Sequence, residues 1–187
     1  MVAWRRYAPL AVLLAAAALA AVSASVFVYY PVTASVSYTN PPIVLQGGTN
    51  ANQTDLSGSI SVTLGANKTS AQITLHPTYQ TTWYHDVLRV VNNAASTYYV
   101  MLKLGGGLQS VTGNVKIIVY DSAGNQVATI DTSTNALTTG WITLNAGDYL
   151  VIDVVFTVNE GQQISGKTDT LTLNVIYSTQ NTESPPA

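Results

Sequence analysis

The sequence predicts an all-β fold, a jelly-roll-like antiparallel sandwich preceded by one unusually long extended strand. Three observations carry this prediction. Short apolar–polar alternating runs recur from Ser59 to Tyr177, turn-forming residues separate them, and no stretch after residue 25 sustains a helical period. Short strands at such spacing, joined by Gly-, Asn- and Asp-rich turns, define sandwiches and related Greek-key folds. The chain has 187 residues, enough for one domain with a sizeable core. Hydrophobic residues make up 47% and charged residues 9%, against about 25% charged in an average soluble protein. Polarity therefore comes from Thr, Ser, Asn and Gln, and such a surface repels its own copies weakly. There are no cysteines, which excludes disulfides and thiolate metal sites.

The first 24 residues read as a secretory signal peptide. Arg5 and Arg6 supply the basic start, Leu10 to Val22 the apolar run, and Val22-Ser23-Ala24 the small residues of a cleavage site. Cleavage after Ala24 would begin the mature protein at Ser25 and place it outside the cell. An uncleaved leader is the alternative, since apolar character resumes at Val26; a membrane would then be reached only through that leader. Without Arg5 and Arg6, five basic residues stand against nine acidic ones, a net charge of −4. No basic patch is present, so nucleic acid is excluded as a partner.

From Val26 to Tyr38 every even position is apolar, the period-2 pattern of a strand with one buried face. At about 3.3 Å per residue this strand would reach about 43 Å, more than a small domain uses. Its second half is expected in the sheet of its own subunit and its first half under a neighbouring copy. The competing reading is a bent edge strand within one domain, broken at Pro31. Thr39-Asn40-Pro41-Pro42 then marks a turn, and the sandwich is expected over 39–180 with a flexible tail over 181–187.

Within it, Ile43 to Leu45 is a short apolar run, followed by strands over Ser59–Leu64, Ala71–Leu75, Val87–Val91, Tyr98–Leu104, Val115–Tyr120, Gln126–Ile130, Trp141–Leu144, Tyr149–Val158 and Leu171–Tyr177. Gly65-Ala66-Asn67, Gly105-Gly106-Gly107 and Ala146-Gly147-Asp148 are among the turns. Two N-glycosylation sequons, at Asn52 and Asn67, fall in turn-like surroundings. A sandwich leaves strand edges, and a chain with so few charges has little with which to blunt them. Such edges are either covered by loops or used for strand addition by a partner.

Catalytic chemistry finds no foothold. His76 and His85-Asp86 match no zinc-ligand spacing, and no H-E-x-x-H or G-x-S-x-G occurs. The triplet Gly105 to Gly107 lacks the lysine and helix of a phosphate cradle. Asp153 interrupts the apolar run Leu150 to Val155; alternation with Ile152 and Val154 puts it on the solvent face, and no second carboxylate pairs with it for glycoside hydrolysis. No cofactor or metal is expected, and the protein reads as no enzyme. Eleven tyrosines and three tryptophans keep a secreted carbohydrate-binding module as the alternative function.

The order of several segments resembles a known family: the leader, the aromatic and β-branched start, His85 to Asn93, Leu144 to Phe156, and Gly161 to Lys167 leading into Leu171 to Tyr177. Together they are similar to the TasA and camelysin family of secreted jelly-roll proteins, and among these to subunits of archaeal bundling pili. The resemblance implies a biofilm-type extracellular filament, a homopolymer in which each subunit donates its N-terminal strand to the next. Donor residues would be Val26, Val28, Tyr30 and Val32, with Ala34 and Val36 near the crossover into the subunit's own fold. Lateral bundling of filaments would follow. Camelysin relatives are classed as metallopeptidases, and no residue pattern here supports that activity.

Overall fold

A computed structural model describes residues 4–21 and 29–184. The chain forms two compact units, Met1–Tyr38 and Thr39–Ala187. In the first, helix α1 spans Trp4–Ala21 with Pro9 inside it; the Ala- and Leu-rich sequence has high helix propensity. No helix of the described residues is long and apolar enough to cross a membrane.

Residues 29–38 form no strand, and this corrects the long strand predicted over Val26–Tyr38. Among the described residues 29–38, which include Ala34 and Val36, none is paired in a sheet, either as the expected crossover or as a bent edge strand. Alternating side chains supply one apolar face, whereas a strand also needs a neighbour for its backbone groups. Val26 and Val28, and the proposed cleavage point, lie outside the described residues.

The second unit is an all-β sandwich. Strands β1 (Ile43–Gly47), β4 (Gln80–Asn92), β9 (Tyr149–Val158), β6 (Gly113–Tyr120) and β7 (Gln126–Asp131) form a five-stranded sheet in the order β1-β4-β9-β6-β7. Strands β10 (Leu173–Ser178), β5 (Tyr98–Leu104) and β8 (Ile142–Leu144) form a second sheet, and β2 (Ser61–Leu64) pairs with β3 (Ala71–Thr74) in a hairpin. All pairings are antiparallel, and β4–β9, β5–β8 and β6–β7 nest within one another along the chain. Val115, Ile117 and Val119 of β6 alternate with half-buried or exposed neighbours, as do Val100, Leu102 and Leu104 of β5. These inward rows join Leu88, Val90, Leu150, Ile152 and Phe156 in one core. Burying each such side chain is worth roughly 1.5–3 kcal/mol, which makes the core the main stabiliser of the unit.

β5 and β9 fall where the alternation places them. β4 starts earlier than predicted, at Gln80, because a bulge separates its two halves. Tyr84 pairs with Val154 and Leu88 with Ile152, so His85, Asp86 and Val87 stand against Asp153 alone. Asp86 takes a positive φ of 40° there. Extra residues on one strand accentuate twist and re-aim side chains.

Candidate functional site

Two features stand out: the exposed segment before the sandwich, with the sandwich's open edge, and a carboxylate cluster at the β4 bulge. In residues 29–38 the apolar side chains face water. Tyr30 is 84% exposed, Val32 91% and Val36 73%; Tyr29, Ala34 and Tyr38 are exposed as well. An apolar run with strand periodicity left in solvent is unusual in a folded chain.

Of the edge strands of the two sheets, β10 is the one whose inward row is half-open. Its register with β5 places Leu173 beside Leu104, Val175 beside Leu102 and Tyr177 beside Val100. Those β5 residues are fully buried, whereas Leu173 and Val175 are half-buried and Tyr177 is exposed. Among the described residues no strand pairs with the outer side of β10. The inward row is therefore uncovered at this edge, as it would be with one strand missing from the sheet. In the five-stranded sheet, the edge strand β1 is partly covered, since its Leu45 N–H donates to the Lys68 carbonyl at 2.7 Å.

The bulge cluster was only half visible in the sequence. Asp153 does point to the outer face, as alternation requires, but it is 0% exposed rather than solvated. Its Oδ2 accepts hydrogen bonds from Trp83 Nε1 and His85 Nδ1, both at 2.8 Å, and its Oδ1 accepts the Asp86 N–H at 2.8 Å. A buried carboxylate needs such donors to offset its lost hydration. Asp86, itself buried, accepts from Arg89 Nε at 2.9 Å and from Arg89 Nη2, and from Thr49 N–H and Oγ1–H at 3.0 and 2.7 Å. Burial alone would raise its pKa, but the Arg89 and Thr49 hydrogen bonds outweigh that and hold it down at about 2. Gly48 makes this approach possible: a Cβ there would lie 1.9 Å from the Asp86 carbonyl oxygen. Residue types signalled His85-Asp86, but the meeting of Trp83 and His85 with Asp153 depends on a pairing 68 to 70 residues apart in the chain.

His76 lies elsewhere, with Nδ1 2.7 Å from Asp55, whose other oxygen accepts the N–H groups of Ser57 and Gly58. The two histidines thus serve separate carboxylates. Among the described residues no group of three or more His, Cys, Asp or Glu could hold a metal ion. Asn52 and Asn67 are both exposed in turns, Asn52 with a φ of 66°. Compared with protein-family models and with curated proteins, the chain matches none.

Proposed function

We propose that this protein is the structural subunit of an extracellular filament, exported through its leader and polymerising by N-terminal donor-strand complementation. The observation that carries the reading is the solvent-exposed, strand-patterned apolar segment ahead of a sandwich whose β10 edge is left unpaired among the described residues. Tyr30, Val32, Ala34 and Val36, with Val26 and Val28 before them, would form the donor strand of one copy. The β10 edge of the next, with Leu173, Val175 and Tyr177 half-open, is the acceptor that the exposures favour. Nested pairing of β4–β9, β5–β8 and β6–β7 supports a jelly-roll-like description of the sandwich. Asn52 and Asn67, exposed in turns, suit glycan attachment on such a fibre.

The energetics favour assembly. Five or so apolar side chains buried at roughly 1.5–3 kcal/mol each contribute on the order of 10 kcal/mol, beside the backbone hydrogen bonds of an added strand. Association and ordering of the segment take back several kcal/mol. Because each copy both gives and receives a strand, the contact is head to tail and propagates without closing. The weakly charged surface then permits lateral bundling. The test is the double variant Val32→Asp, Val36→Asp, imaged by negative-stain electron microscopy. Folded monomers without filaments are expected; filaments like those of the unaltered protein would overturn the proposal.

A further inference from the structure

We propose that the outer face of the five-stranded sheet around Trp83 is a binding platform for a neutral saccharide. Asp153 is fully buried yet directed outward, and two of its three hydrogen bonds hold rings that remain in solvent. Trp83 is 58% exposed and the His85 side chain 65%. The third bond, from the Asp86 N–H, already satisfies the bulge. A carboxylate withdrawn from water to fix two exposed rings serves no core. Fixed aromatic surface instead lowers the ordering cost for whatever lands on it.

The chemistry of the surrounding face selects the ligand. Its cations are spent internally, Arg89 on Asp86 and Lys116 on Asp131 at 3.1 Å, and the Asp153 carboxylate is taken up by Trp83, His85 and the Asp86 N–H. Arg89 also lies over the Tyr149 ring, 4.9 Å from its centroid. A phosphate, a sulfated or uronic glycan or a nucleic acid would find no unpaired cation here. What remains is neutral and directional, the Thr81 and Thr157 hydroxyls sharing one hydrogen bond at 3.4 Å and keeping further donor and acceptor capacity. Thr81, Thr157 and Asn114 share one register row across β4, β9 and β6, next to the row of Trp83. His85 uses Nδ1 on Asp153, which leaves Nε2 for a ligand hydroxyl. A pyranose ring can lay its C–H face on the indole and reach this row and His85 Nε2 with its hydroxyls. Indole, hydroxyls, amide and imidazole together fit a sugar better than an apolar peptide, which would leave the polar row unpaired.

The test titrates neutral hexose oligomers (cellohexaose, maltohexaose, mannohexaose) into filaments and into the Val32→Asp, Val36→Asp variant, following tryptophan emission. Use of both forms separates this site from assembly. Saturable binding of at least one oligomer by both forms is expected, with Trp83→Ala weakening it by about tenfold or more; because Trp83 also donates to the buried Asp153, the variant is titrated well below its own, lowered melting temperature, where circular dichroism shows it folded. Trp83→Phe should retain part of the affinity, and heparin fragments should bind more weakly than the neutral oligomer. Absence of saturable binding across the panel, or full affinity in Trp83→Ala, overturns the proposal. So does loss of filament bundling in Trp83→Ala without sugar binding, which would make the face a contact between copies.

Discussion

Tyr84 shows how a single residue can carry both a contribution to the fold and a cost within it. Its ring is buried and meets Phe156 edge to face, centroids 6.1 Å apart, a favourable aromatic geometry. Its hydroxyl is buried without a hydrogen-bond partner. The nearby His76 N–H is spent on Asp55 at 3.2 Å. Burial, with the Asp55 charge adding to it, pushes the phenol from its ordinary 10.0 up to about 12. A folded pKa raised above the unfolded one means that stability is fully present below about pH 10 and is lost as pH rises toward 12. Tyr84→Phe removes the unpaired hydroxyl and the ionisation together. It should be more stable by about 1 kcal/mol at neutral pH, and its alkaline loss should be shallower. Urea unfolding at neutral pH and at about pH 11 checks both points; a less stable variant would mean that the hydroxyl is in fact paired. None of this was legible in the sequence, where Tyr84 is one aromatic among several in Trp83-Tyr84-His85. Which ring faces the core depends on the phase of β4, and the bulge that follows changes that phase.

At the scale of the element, the β4 bulge is held by two carboxylates from one side and a glycine from the other. Asp153 caps the Asp86 N–H, Asp86 gathers Arg89 and Thr49, and Gly48 closes on the bulge with its N–H on the Val87 carbonyl at 3.0 Å. The pKa of Asp86, depressed from 3.8 to about 2, ties this geometry to pH. A depressed folded pKa contributes stability above the unfolded value, and that contribution is lost as pH falls from about 4 to about 2. Its size is on the order of 2 kcal/mol. Asp86→Asn should therefore be destabilised at neutral pH and show a flatter acid limb than the unaltered protein. Denaturation midpoints measured between about pH 5 and pH 2 check this, and parallel curves for the two proteins would rule it out. Strands such as β5 and β9 were readable because Val100, Leu102 and Leu104, or Leu150, Ile152 and Val154, state their phase locally. The bulge was not readable in that way. Its charged residues look like solvent-facing alternation until β9 is brought alongside and Trp83 and His85 are found bonded to Asp153.

For the whole molecule, the question is how an exposed apolar segment and a sandwich with an unpaired edge belong to one protein. The sandwich unit begins at Thr39, and among the described residues its core begins at Ile43. The pattern from Val26 to Tyr38 was legible as a strand, but its partner was not, because periodicity states which face is apolar and not what will cover it. A chain beginning at Thr39 should consequently fold with a cooperative melt and form no filaments. A synthetic peptide spanning residues 25–38, added in excess, should bind it and raise its melting temperature in proportion to the logarithm of peptide concentration, since ligands that bind only the folded state stabilise by mass action. The same peptide with Val32→Asp and Val36→Asp should give no shift. Amide resonances of Leu173 to Ser178 should gain protection from exchange with the intact peptide if β10 is the accepting edge. Protection elsewhere, such as on β1 at the edge of the five-stranded sheet, would move the acceptor to that edge while retaining strand donation. A peptide that neither binds nor stabilises would leave the exposed segment without a role in joining subunits.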